Sequence, residues 1–419
     1  MTADAAPQDG SQGVGQPASQ GMTQSGSPAA SQTGARADPH AWPRGVRPAE
    51  ASAGSPVRAG EGRFQPLPTD PVDMARVPRR IGILTSGGDC PGLNAVIRGA
   101  VLKGTEVYGQ EFVGFRDGWR GMIEADFMSL DRTSVRGLAK EGGTILGTSR
   151  IGPYRTPEGQ PDRILATLAR NGIDGVIAIG GDGTMRAAHL LHADGIPIVG
   201  VPKTIDNDLD GTDYSFGFDT AVSVATEAID RLRTTGNANH RCMILEVMGR
   251  HAGWIALHAG TAGGAHAILI PEHPESLEQI CAWVTSVHER GRSPMIVVAE
   301  GFTLPGMTEA HSDRGLDGFG RPRLGGIAEV LAPMIAERTG IETRATVLGH
   351  IQRGGVPTSF DRVLATRLGI DVIELVARRQ WGRMVALRGT DIVSVALAEL
   401  QETKSVPPER YHEVRVLFG

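Results

Sequence analysis

The sequence predicts an α/β fold built as two doubly wound domains with mainly parallel sheets, and three observations predict it. From Arg79 onward, short and continuous apolar runs recur: Ile81 to Leu84, Gly175 to Ile179, Ile196 to Val201, Cys242 to Val247, Ala267 to Ile270, Met295 to Ala299 and Thr346 to Leu348. Runs of that length without alternation read as strands covered on both faces. Between them lie helical stripes, such as Val222, Val224, Ala225, Ala228, Ile229 and Leu232, or Leu277, Ile280, Cys281, Val284 and Val287. These are core-facing positions of crossover helices, and strand–helix alternation implies parallel neighbours. Finally, the roughly 340 residues from Arg79 to the end exceed what one core comfortably encloses, so two domains facing a cleft are expected.

Taken from the N-terminus, residues 1 to 78 come first. They are mostly Ala, Gly, Ser, Gln, Pro and Thr, with few large apolar side chains to offset chain entropy, so a disordered tail is expected. The chain has no 18-residue apolar run and no apolar signal-like stretch, which predicts a soluble, cytoplasmic protein. Cys90, Cys242 and Cys281 are odd in number and widely spaced, which favours isolated thiols over a disulfide framework or a zinc site. A formal charge of -5 gives no electrostatic case for nucleic acid or an anionic membrane.

The first strand runs into Thr85-Ser86-Gly87-Gly88-Asp89-Cys90-Pro91-Gly92-Leu93-Asn94, a glycine-rich turn before a helix start. Glycines let backbone N–H groups close on phosphate oxygens, and a helix N-terminus favours the negative charge. Neither the Gly-x-Gly-x-x-Gly order nor a P-loop ending is present. A second strand repeats the arrangement at Gly180-Gly181-Asp182-Gly183-Thr184, now with an acid among the glycines. A carboxylate there would repel phosphate unless a cation such as Mg²⁺ intervened; equally, Asp182 could simply cap the following helix.

The third strand leads to Lys203-Thr204-Ile205-Asp206-Asn207-Asp208. Its hydroxyl and carboxylates could bind an acceptor alcohol, take its proton and hold metal, because an alcohol attacks phosphorus poorly until its proton is accepted. The same residues are also common in plain turns. Further along, Arg241, Met248-Gly249-Arg250-His251, Glu300-Gly301, Arg344 and His350-Ile351-Gln352-Arg353-Gly354-Gly355 stand at the edges of apolar runs. Arginines so placed suit a second anion, and Glu300 suits sugar hydroxyls.

In this order, over nearly all of residues 80 to 380, these blocks together with Gly147-Thr148-Ser149-Arg150 resemble the 6-phosphofructokinase family. The resemblance implies two Rossmann-like domains with the active-site cleft between them: about 79–217 plus 352–402 for nucleotide, and about 218–351 plus 403–419 for fructose 6-phosphate. It implies phosphoryl transfer from ATP to the sugar 1-hydroxyl in glycolysis, with Mg²⁺ on Asp182. Gly87, Arg150, Ile151, Gly181, Asp182, Gly183 and Thr184 would hold the nucleotide. Asp206 would be the proton acceptor, flanked by Thr204, Ile205 and Asp208, and Arg250 would stabilise the transferred phosphoryl. Met248, Gly249 and Glu300 would line the sugar, His350 and Arg353 would grip its phosphate, and Ile351 and Gln352 would also bind the substrate. Arg241 and Arg344 match arginines supplied by a neighbouring subunit, which implies a homo-oligomer, a tetramer by family habit.

Donor choice rests on two positions. Family members that use pyrophosphate tend to carry Asp where this chain has Gly183, and Lys where it has Lys203. Room at Gly183 favours ATP; Lys203 is shared with the pyrophosphate users. Allosteric members place basic residues in an intersubunit site, where this chain keeps Arg98 but has Leu102 four positions on, beside Lys103. The alternatives are a pyrophosphate-dependent enzyme, a non-catalytic sensor, or a lipid or NAD kinase. A sensor has no need for Asp182, Asp206 and Arg250 together, and a lipid or NAD kinase does not predict the Arg344 to Gly355 block.

Overall fold

The computed structural model describes residues 62–149, 151–154, 160–307, 326–401 and 403–419. Among them the strands are β1 (Phe64–Pro66), β2 (Arg80–Ser86), β3 (Glu111–Phe115), β4 (Phe127–Leu130), β5 (Gly175–Gly180), β6 (Ile198–Pro202), β7 (Cys242–Val247), β8 (Ala267–Leu269), β9 (Met295–Ala299), β10 (Thr343–Val347), β11 (Arg383–Arg388) and β12 (Asp391–Ala396). The helices are α1 (Leu93–Tyr108), α2 (Trp119–Glu124), α3 (Gln160–Arg170), α4 (Asp182–Ala193), α5 (Phe218–Asn239), α6 (Trp254–Ala262), α7 (Leu277–Glu289), α8 (Ile327–Thr339), α9 (Ser359–Ala377) and α10 (Pro408–Arg415).

Two sheets organise these elements. The larger runs in the order β1-β12-β11-β6-β5-β2-β3-β4, and the smaller β10-β7-β9-β8. In the larger, β3, β2, β5, β6 and β11 are parallel, with antiparallel pairs only where β4, β12 and β1 join; the smaller is parallel throughout. Every residue of β5, β6, β7 and β9 is buried, which is why those segments read as unbroken apolar runs. One core passes from the large sheet (Ile177, Val199) through α1, α9 and α5 (Val96, Leu368, Ile229) to the small sheet (Leu245, Val297). Separate cores cover the outer faces, around Leu84, Phe115 and Leu191 on one sheet and Ile244, Ile280 and Leu331 on the other. Each fully buried aliphatic side chain stabilises the fold by roughly 1.5–3 kcal/mol. Between α1 and α9 the backbones approach so closely that a Cβ on Gly99 would stand 2.7 Å from the Thr366 carbonyl oxygen, so alanine there would force the helices apart.

Part of the stretch expected as a tail has defined structure. Phe64–Pro66 pairs antiparallel with β12, and Arg63 forms an ion pair with Asp210. Arg378 donates to the Pro68 and Asp70 carbonyls at 3.1 and 2.8 Å, and Arg379 to that of Arg76 at 2.8 Å. Composition averages over the whole stretch and hides its few apolar residues, of which Phe64, Leu67, Val72 and Val77 pack against the cores. The remainder of the expected tail, residues 1–61, lies outside the described residues. No helix among the described residues is long and apolar enough to cross a membrane.

Candidate active site

Strand register assembles the site. Ser86 stands opposite Gly180 and Gly180 opposite Pro202, so β2, β5 and β6 end level and deliver Gly87, Gly181 and Lys203 side by side. This is the carboxyl edge of a parallel sheet, where such folds bind ligands. Gly87 has φ +85°, and its carbonyl accepts from Thr148 Oγ1 at 2.6 Å while its N–H reaches Ser149 O at 3.3 Å. The Gly147 to Ser149 segment therefore closes on the first cradle. Arg150 lies outside the described residues, and Ile151 is exposed.

In the second cradle the N–H groups of Thr184 and Met185 bond Gly181 O at 2.9 and 3.0 Å, which starts α4 at Asp182. Asp182 accepts from Arg186 Nε at 2.9 Å across one turn. A Cβ at Gly183 would meet nothing within 4 Å, so the cradle is open on that side. Lys203, only 3% exposed, donates its N–H to Gly180 O at 2.9 Å and its Nζ to Gly88 O. That Nζ would lie 3.5 Å from a Cβ on Gly87, so the ammonium projects into the first cradle. Burial pulls the Lys203 pKa down.

Beyond Lys203 the backbone turns sharply. Thr204 Oγ1 donates to Asp208 Oδ1 at 2.9 Å and accepts the Asp206 N–H at 3.1 Å. Asn207 adopts φ 50°, an uncommon value for a non-glycine residue, and its Oδ1 accepts the Ser215 N–H at 3.1 Å. Asp206 is thereby aimed into the cleft with a buried Oδ1 that takes no hydrogen bond from the described residues. Burial first, and the Asp208 carboxylate second, raise its pKa to about 7, against the opposing pull of Arg353 and Lys203. A carboxylate poised there suits general-base work near neutral pH.

The small sheet supplies the facing wall by the same device. Val247 stands opposite Ala299, so Met248-Gly249-Arg250 emerges beside Glu300-Gly301. Gly249 has φ +135°, and a Cβ on it would stand 2.7 Å from Ala252 O, so this approach needs glycine. Burial raises the pKa of Glu300, with Glu246 adding to it and Arg250 and Arg353 opposing. After β10, a short 3₁₀ turn (Gly349–Arg353) exposes His350 and Ile351 and sends Arg353 across to the first cradle, where Nη1 donates to Asp89 O at 3.2 Å.

Four further expected residues are either buried or at the opposite strand ends. Ile205 and Gln352 are fully buried. Gln352 uses Oε1 to accept the Met248 N–H at 3.1 Å, while its Nε2 takes no partner among the described residues, and Ile205 packs in the core. Motif spacing carries no depth, so the burial of both is legible only in the fold. Arg241 and Arg344 flank the amino ends of β7 and β10 and share Glu342, Arg241 at 2.9 Å. The six residues of β7, about 20 Å of strand, run between Arg241 and the end that carries Arg250, and Arg344 stands opposite Met243. Near the α1–α9 crossing, Arg98, Leu102, Lys103 and Arg132 line a cavity of about 280 Å³, in which Lys103 is paired with Glu374 and Arg132 with Glu106.

For a metal, the described residues offer no group of three or more His, Cys, Asp or Glu side chains. Asp182, a single part-exposed carboxylate at the mouth of a phosphate cradle, fits Mg²⁺, which commonly takes one or two carboxylates and completes its shell with phosphate oxygens and water.

Two level strand edges, one ending in glycine cradles and an acid and the other in an arginine and a glutamate, can align a phosphorylated donor with a hydroxyl acceptor. Comparison with known proteins agrees: the family model described as Phosphofructokinase matches residues 80–376. The chain belongs to the phosphofructokinase family. It is thus a phosphotransferase, and its two sheets are the two Rossmann-like halves that the sequence predicts. It is 58% identical over 341 residues to a protein of Amycolatopsis methanolica named pyrophosphate--fructose 6-phosphate 1-phosphotransferase, covering 81% of this chain and all of the relative. To ATP-dependent 6-phosphofructokinase 3 of Streptomyces coelicolor it is 52% identical with the same coverage. The crystal structure of Pichia pastoris phosphofructokinase in the T-state matches with a TM-score of 0.68 and 31% identity, over 77% of this chain and 35% of that one.

Proposed function

We propose that this protein transfers the γ-phosphoryl group of ATP to the 1-hydroxyl of fructose 6-phosphate, giving fructose 1,6-bisphosphate and ADP. The observation that carries the reading is the level ending of β2, β5 and β6, which sets both glycine cradles beside an acid whose pKa is raised to about 7. The sugar oxygen bonds to the γ-phosphorus as the bond from that phosphorus to the β–γ bridging oxygen breaks, and the hydroxyl proton passes to Asp206. The glycine turns at Gly87 and Gly181–Thr184 hold the donor, and Arg250 and Lys203 neutralise charge on the phosphoryl in flight. Asp182 would hold Mg²⁺, which supplies further charge neutralisation on the phosphates when bound. Met248, Gly249 and Glu300 orient the sugar. His350 and Arg353 grip its 6-phosphate together with Arg241 and Arg344 of a neighbouring copy, in a homo-oligomer we take to be a tetramer.

The donor assignment rests on Gly183, where open space leaves room for the inner phosphates of a nucleotide. A second reading, pyrophosphate as donor, is favoured by the buried Lys203 in the cradle and by the higher identity to the Amycolatopsis protein. Assaying the purified protein with fructose 6-phosphate and either ATP or pyrophosphate decides. We expect kcat/KM at least tenfold higher with ATP. The reverse ratio would establish the second reading, and turnover with neither donor would overturn phosphoryl transfer altogether.

A further inference from the structure

Behind the catalytic turn runs a segment that the sequence gives no reason to notice. Lys404 lies in Gln401-Glu402-Thr403-Lys404-Ser405-Val406, a polar stretch without motif character. Its ammonium donates to Asn207 Oδ1 at 3.2 Å, Thr212 O at 2.9 Å and Asp213 O at 3.0 Å, so all three of its N–H bonds are used on the back of one turn. The Lys404 backbone N–H reaches Asp208 O at 2.7 Å, while its carbonyl accepts Trp254 Nε1 at 2.8 Å, at the start of α6 on the small-sheet side. Two residues on, the Val406 N–H bonds Glu272 Oε1 at 2.8 Å, and the same carboxylate accepts the Gly253 N–H at 3.1 Å. The ammonium also stands 5.6 Å from the centre of the Trp254 ring.

We propose that Lys404 is a positioning residue for phosphoryl transfer: its ammonium fixes the turn that carries Asp206 and Asp208, and its backbone ties that turn to the opposite wall of the cleft. Asn207 sits in the left-handed region, and a residue held there needs its surroundings to over-determine it. Lys404 and the Ser215 N–H do so by converging on the Asn207 side chain. Without the ammonium, the Thr212 and Asp213 carbonyls lose their common donor and the turn relaxes, moving the Asp206 carboxylate off its line to the acceptor hydroxyl. A small misplacement of a general base costs turnover more than binding. Burial lowers the Lys404 pKa to about 8, while Asp213, Asp208 and Asp210 oppose the fall, so the ammonium stays mostly charged at neutral pH.

This inference rests on the phosphoryl-transfer reading, and the experiment separates the two. Wild type, Lys404→Gln and Lys404→Arg are compared as full-length protein for kcat, fructose 6-phosphate KM and melting temperature, with ATP and then pyrophosphate as donor. We expect Lys404→Gln to lose at least tenfold in kcat with KM within threefold, and Lys404→Arg to fall between it and wild type. If Lys404→Gln does not fold, Lys404→Arg decides alone: a kcat loss of threefold or more with KM within twofold supports positioning. Wild-type kcat in either variant that folds, or losses that appear in KM or melting temperature alone, would overturn it. If the wild type turns over neither donor, the functional reading has failed instead.

Discussion

The two ends of the small sheet do opposite things with arginine. At the carboxyl ends of β7 and β9, Arg250 sits beside a largely buried glutamate, Glu300, in a wall that strand register and a glycine-only backbone fix in place. At the amino ends of β7 and β10, Arg241 and Arg344 are paired with the exposed Glu342 on the far side of the same sheet. The first group stands at the strand ends that face the cleft, and the second at the opposite strand ends. In the proposed homo-oligomer the second group would serve another copy's phosphate site, while the first would serve its own chain.

Several variants break or sharpen this contrast. Asp206→Asn should lose two or more orders of magnitude in kcat while fructose 6-phosphate still binds in calorimetry, the range expected for removing a general base. Gly183→Asp comes next. It sets a carboxylate against the donor's inner phosphate, a like-charge contact costing several kcal/mol, so ATP-dependent kcat/KM should fall about a hundredfold with little change in sugar KM. Arg344→Ala should do the converse, raising fructose 6-phosphate KM roughly tenfold with kcat nearly kept, the loss expected for one charge-assisted hydrogen bond.

Two titration effects are smaller. With Asp206 near 7, kcat/KM should fall about tenfold between pH 8 and pH 6 as the base becomes protonated. Because its folded pKa lies above the unfolded value of 3.8, Asp206 contributes stability below that value and loses it as pH rises through 7. Asp206→Asn cannot ionise, so at pH 8 it should melt a few degrees above wild type, while the two should converge below about pH 4.

Much of this was legible in the sequence because the central strands are buried on both faces and leave unbroken apolar runs, each ended by a glycine or acid motif. Hence β2, β5, β6, β7 and β9 could be placed and the residues at their ends singled out. The strands β3, β4, β11 and β12 leave no such run because they are exposed or half-buried at an end or broken by polar residues such as Ser394, and β1 because Phe64 alone of its residues packs on a core. Inside the site, sequence gives residue types but not depth, so the burial of Gln352 and Ile205 shows only in the fold. Lys404 had no signal at all. Its partners are mainly carbonyls of a turn about 190 residues away, and no spacing rule reports such a contact.

The division between the two sheet edges is tested most directly by mixing subunits. Asp206→Asn protein is co-refolded with protein carrying both Arg241→Ala and Arg344→Ala, each close to inactive at low fructose 6-phosphate. Hybrids should recover on the order of a quarter of wild-type activity, the share of sites that pair an intact acid with intact donated arginines under random assembly. Hybrids that form but stay at the level of their parents would show that both groups serve the chain that carries them.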